Sequence, residues 1–199
     1  MGLVRHDTEP QPAEERPGQP LDSPDPERRR KAALCLDGVA EAVPALFDRL
    51  AVETEPAVRD ALLTPLAGQD TDAVAIGLAG HLASEDPGLR TAVAEAMAAM
   101  PESVPVLMPD LLTDPDHDVR ILTVMVLANL QHSEVDSWLV AMIRDDPHPN
   151  VVTAAIGALL PSAGAEHATL LQDALRRFPD DPFLCFIVKT AMPRLVEAV

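Results

Sequence analysis

The chain has no tyrosine, a single tryptophan, four phenylalanines and two cysteines among its 199 residues. The cysteines, Cys35 and Cys185, sit near opposite ends, outside any Cys-x-x-Cys or Cys/His cluster of zinc-ligand spacing. No metal or other cofactor is implied, and a reducing, cytoplasmic setting is the default expectation. Positive charge is scarce as well, with 15 Lys+Arg against 32 Asp+Glu and a formal net charge of −17. That balance argues against a nucleic-acid partner, since docking on phosphates gathers Lys and Arg into a stripe, and the only basic run is Arg28-Arg29-Arg30-Lys31. No apolar run reaches 18 residues, so no membrane span is expected. The start of the chain reads neither as a secretory signal nor, with His6 at the critical position, as a myristoylation site. No nucleophile–base pair, glycine-rich phosphate loop or paired-carboxylate signature occurs, which lowers the expectation of an enzyme without excluding a scattered site.

What is present is a core: 47% of residues are apolar and 24% charged, which disfavours wholesale disorder. Of the 15 basic residues 13 are Arg, which with the many alanines hints at a GC-rich, bacterial genome. Residues 1–24 hold Pro10, Pro12, Pro17, Pro20 and Pro24 and read as an extended tail that lies along a groove, its own or a partner's. From residue 25 to 199 the pattern turns helical.

An acid–Pro dipeptide recurs at Asp25-Pro26, Glu55-Pro56, Asp86-Pro87, Asp114-Pro115, Asp146-Pro147 and Asp181-Pro182. A Val/Leu-Arg pair follows at Val58-Arg59, Leu89-Arg90 and Val119-Arg120, with Arg28-Arg29, Val151-Val152 and Leu184-Cys185 as degraded copies. The period is about 31 residues, the length of a helical-hairpin repeat. Each acid caps a second helix whose first position is proline, where the missing N–H costs nothing. A first helix precedes it, over 41–52, 71–83, 102–113, 134–144 and 166–178. The expected fold is an all-α, right-handed α-solenoid of about five to six hairpins.

In segments such as Glu41-Ala42-Val43-Pro44-Ala45-Leu46 and Asp114-Pro115-Asp116-His117-Asp118-Val119-Arg120, the chain resembles HEAT-like repeats of the phycobilisome-lyase type over residues 25–192. TPR and ankyrin signatures are missing. The resemblance implies an arginine ladder, Arg29, Arg59, Arg90 and Arg120, bonding acids and carbonyls of its own or the next turn; an anion-binding row is the alternative. It also implies a bilin lyase or lyase subunit, which the absence of tyrosine and the scarcity of basic residues on the candidate face oppose. A DNA-binding HEAT-like enzyme is opposed by the net charge.

His117 and His148 lie in successive acid–Pro turns beside Asp114, Asp116, Asp118, Asp145 and Asp146, as a solvated face or as a ridge able to hold a cation. Gly77, Gly80 and Gly157 fall within helices, where close packing is the usual reason. The first, second and fifth residues after each ladder position should line the concave side. They read Arg30/Lys31/Leu34, Asp60/Ala61/Thr64, Thr91/Ala92/Glu95, Ile121/Leu122/Met125, Thr153/Ala154/Gly157 and Phe186/Ile187/Thr190. The apolar fourth set, bounded by small Ala154 and Gly157 and then by Phe186 and Ile187, marks a groove for a protein partner. The alternative is that the register is off by one, or that the last repeat covers this set as ordinary core. A non-enzymatic adaptor or assembly factor is the functional expectation.

Overall fold

The computed structural model describes residues 19–197, which form eleven α-helices, four short 3-10 segments and no strand. Six helices start at or just beyond the acid–Pro dipeptides: α1 (Pro26–Leu34), α3 (Pro56–Gln69), α5 (Pro87–Met97), α7 (His117–Leu127), α9 (Pro149–Leu159) and α11 (Pro182–Glu197). Five alternate with them: α2 (Val43–Leu50), α4 (Asp72–Ala79), α6 (Met108–Leu111), α8 (Val135–Asp145) and α10 (Ala168–Arg177). The odd-numbered helices stack one on the next from α1 to α11, and each even-numbered helix packs on the odd one that follows it. This two-row stack is an α-solenoid of five hairpins led by a lone first helix.

Local chemistry explains the starts, with corrections to the simple rule. Asp25 accepts the Glu27 amide at 3.0 Å, and Asp86 accepts those of Gly88 and Leu89 at 2.9 and 3.2 Å, as capping carboxylates should. In the fourth and fifth units the helix begins two residues late: Asp116 caps α7 and His148 caps α9. There Asp114 and Asp146 instead accept the amides of Asp116 and His148, at 2.8 Å each, closing a turn before the helix. Glu55 makes no cap bond; Glu53 takes the Thr54 and Glu55 amides, both at 3.0 Å. Pro105 and Pro109 cut the third first helix, expected over 102–113, to a 3-10 turn, Val104–Leu107, and the four residues of α6.

The expected tail, residues 1–24, lies outside the described residues up to residue 18, and its boundary falls too late. A 3-10 turn, Gln19–Asp22, packs on α1 with Leu21 only 2% exposed, and the carbonyls of Ser23 and Pro24 accept from Arg29 at 2.8 and 3.3 Å. One leucine that closes the open end of the first unit extends the packed structure to residue 21. The core runs the length of the stack between the two rows, dominated by Leu, Val, Met and Ala. Cys35 is exposed, Cys185 half-buried, and both are free thiols. Among the described residues no helix is long and apolar enough to cross a membrane.

Candidate partner-binding face

The even helices cover one side of the odd row and leave the other side free. On α7 the covered side is Val119, Thr123, Val126 and Leu127, all buried, and on α9 it is Val151, Ala155, Ile156 and Leu159. The candidate columns fall mostly on the free side. Lys31, Leu34, Asp60, Thr64, Thr91, Glu95, Gly157, Phe186 and Thr190 are exposed, while Arg30, Ala92, Thr153, Ala154 and Ile187 are half-buried. Ala61 is the exception, buried at 4% exposed. Ile121, Leu122 and Met125 are half-buried and packed against the core. They present an apolar floor while anchoring α7.

Beyond that floor the row stays apolar. Gly157 leaves room for Ile187, whose Cδ1 lies 3.7 Å from where a Cβ would stand. Phe186 is 71% exposed, and Phe183, one turn earlier on the same side of α11, is 72% exposed. Phe183 was not among the sequence candidates, since it sits two residues before the ladder position and not after it. Its helical phase, about 160° from the ladder residue, was the available signal. Toward α3 and α5 the free side opens into two shallow hollows. One, about 410 Å³, is bounded by Asp60, Thr64, Ala92, Glu95 and Ala99; the other, about 640 Å³, shares Glu95 and Ala99 and reaches Asn129 and Gln131 beyond α7.

The arginine ladder runs along the turns at the edge of this face. Arg29 donates to Glu53 in a bidentate pair, 2.8 and 3.0 Å, and Arg120 pairs Asp146 likewise, 2.7 and 3.1 Å. Arg59 donates to the Glu53 carbonyl at 2.8 Å and to Asp86 at 2.6 Å. Each thus ties its own turn to an acid at the start of the next unit. Arg90, half-buried, makes no such pair among the described residues, and Asp114, the acid in the matching place, is turned to its own Asp116 amide. After Val152 interrupts the ladder, Arg177 donates from α10 to the carbonyls of Ile143, Arg144 and Asp146, a role the spacing did not reveal.

Glu53 is the electrostatic hub of the first turns. Its side chain is fully buried and accepts from Arg29, Arg49 and the Thr54 and Glu55 amides. Burial alone raises its pKa, but these donors outweigh burial and hold it at about 2. The Arg59 guanidinium, with the Leu89 amide, lowers that of Asp86 despite some opposing burial.

The two turn histidines do come together: the rings of His117 and His148 stack with centroids 4.1 Å apart and planes 18° from parallel. Face-to-face rings do not aim their nitrogens at a common point, and His148 Nδ1 already accepts the Asn150 amide. No cluster of three His, Cys, Asp or Glu side chains disposed to hold a metal occurs among the described residues.

Stacked helical hairpins tied by an inter-unit arginine ladder make an α-solenoid, and over part of its length the chain is similar to HEAT repeats. The family model for HEAT repeats matches residues 104–183, from the third first helix to the start of α11. No curated protein matches the chain. Among solved structures it is similar to the crystal structure of an engineered protein, at 19% identity over 92% of this chain and 96% of that one, with a TM-score of 0.41. Repeats of this kind generally mediate protein–protein interaction through their extended inner surfaces.

Proposed function

We propose that the chain is a non-enzymatic adaptor or assembly factor that holds a protein partner on the free side of its odd-helix row. The observation that carries this reading is the exposure of Phe183 and Phe186 on that side. In a chain with five aromatic side chains, two stand about 70% exposed on one turn of helix, continuous in column with Ile121, Leu122 and Met125. Exposed aromatics grouped on one face are what partner anchors look like, and methionine beside them adapts to differing shapes. A bilin-lyase role gains no support from the cations nearest this face, since Arg30 and Lys31 are both paired to Glu27 on α1.

The test is photo-crosslinking in cells from a benzophenone side chain installed at Phe186, with Val106 as the comparison, 60% exposed on the opposite row. A discrete crosslinked protein from position 186 and none from 106 is expected. Crosslinks from 106 alone would move the binding site to the even-helix side.

A further inference from the structure

The free side changes character along the row. On α3 and α5 it carries two exposed carboxylates, Asp60 and Glu95, which border one hollow over a floor of Ala92, Ala96 and Ala99. The acids of the turns, buried Glu53 and Asp146 and half-exposed Asp86, each face an arginine, whereas Asp60 and Glu95 make no ion pair among the described residues. No Lys, Arg or His lines this hollow or the one that continues from it. Through Glu95 and Ala99 the groove leads to Asn129, whose amide donates to the Met125 carbonyl at 3.3 Å. The acidic hollows thus border α7 one turn beyond Met125, and the apolar residues of α7 and α11 follow along the same row.

We infer that this face takes a segment of a protein partner that is basic over α3 and α5 and apolar over α7 to α11. The inference rests on the partner-binding reading above and adds the partner's chemistry. Charge complementarity selects it: two uncompensated carboxylates in a chain of net charge −17 attract cationic side chains and penalise acidic ones. The small alanine floor leaves room for the aliphatic stems of Lys or Arg beneath their charged heads. Past Glu95, Leu122, Met125 and Phe186 offer desolvated contact to apolar side chains. The chain's own residues 1–18 suit this surface less well, because Arg5 and Arg16 are outnumbered by Asp7, Glu9, Glu14 and Glu15, and apolar residues are scarce after Val4.

The experiment uses the full chain and four fluorescent helical peptides of about 18 residues, long enough to cross several units. One carries two Arg followed by a Leu/Phe stripe; in the others the Arg become Gln, the Arg become Glu, or the stripe becomes Ser. Anisotropy titration at about 50 and 300 mM salt is expected to show the basic–apolar peptide binding roughly tenfold tighter than any other, and weakening with salt. Asp60→Asn with Glu95→Gln should bring its affinity down to that of the Gln peptide, and Phe186→Asp should weaken both. Equal binding of the Gln peptide, indifference to the double variant, or no binding of any peptide overturns the assignment. If the Gln peptide binds equally and Phe186→Asp still abolishes binding, the partner site stands and only its charge preference falls. If neither the carboxylates nor Phe186 matters, both readings fall. Tighter peptide binding by the full chain carrying Arg5→Glu and Arg16→Glu would show its own first residues filling the groove, and would overturn assignment to a partner.

Discussion

At the scale of single residues, successive turns are tied together by carboxylates that the repeat pattern does not single out. The arginine column was legible because it recurs at one spacing, but its acceptors were not. Glu53, Asp86 and Asp146 stand 24 to 27 residues downstream of their arginines and at differing places in their turns. Glu53 makes a testable pH signature. Its folded pKa of about 2 lies below the ordinary 4.5, so the stability it contributes is present above pH 4.5 and is lost as pH falls toward 2. The shift corresponds to about 3 kcal/mol. Glu53→Gln should destabilise the fold by that order at pH 7 and flatten the loss between pH 4.5 and 2, as read by urea denaturation across the range. A variant as acid-sensitive as the parent would remove Glu53 from the account. The ladder itself gives a contrast: Arg120→Ala strands buried Asp146 and should cost roughly 3 kcal/mol or more, whereas Arg90→Ala, which breaks no pair, should cost under about 1 kcal/mol. Equal losses in thermal melts would contradict the pairing seen here.

At the scale of elements, helix identity was readable and helix starts were less so. Acid–Pro dipeptides mark all six odd helices, yet in Asp114-Pro115-Asp116 and Asp146-Pro147-His148 a second capping side chain lies two residues on and takes the helix start. Two overlapping cap signals cannot be ranked without the turn geometry that lets the first acid bond its own loop. Packing between elements was also hidden. Gly77 does face a close neighbour: a Cβ there would stand 2.6 Å from Phe47 Cζ, so α4 meets α2 at a glycine. Gly80, by contrast, ends α4 as its C-cap. Gly77→Ala should cost about 1–2 kcal/mol through displacement of the Phe47 ring from its stack on His81, and Phe47→Leu should restore most of the loss in the double variant. Additive losses in a double-mutant cycle would place the strain elsewhere. Asp70, at φ +38°, accepts from the Glu102 amide and from the amide and hydroxyl of Ser103, another link between successive units that periodicity did not show.

At the scale of the whole molecule, the repeat period made the solenoid legible, because every unit repeats one solution to burying a helix pair. The ends and the free face were less so. Leu21 belongs to the packed structure although its surroundings read as tail, since one side chain closing an end leaves no periodic trace. At the other end, the positions buried as Val152 and Ile156 on α9 are half-buried Cys185 and exposed Lys189 on α11, which closes the stack with a more polar surface. The apolar interruption at Ile121, Leu122 and Met125 was visible in the aligned columns, but their half-burial was not. A charge at Leu122 therefore disturbs packing as well as binding.

Phe186 separates the two effects, because it is 71% exposed whereas Val119 is 4% exposed. The decisive measurement is the affinity of the crosslinked partner for Phe186→Asp, taken beside the melting temperatures of that variant and of Val119→Asp. Partner binding on the free side predicts that Phe186→Asp melts with the parent, within about 0.5 kcal/mol, and binds at least roughly tenfold more weakly, while Val119→Asp loses its fold. A Phe186→Asp protein that melts and binds like the parent would contradict it.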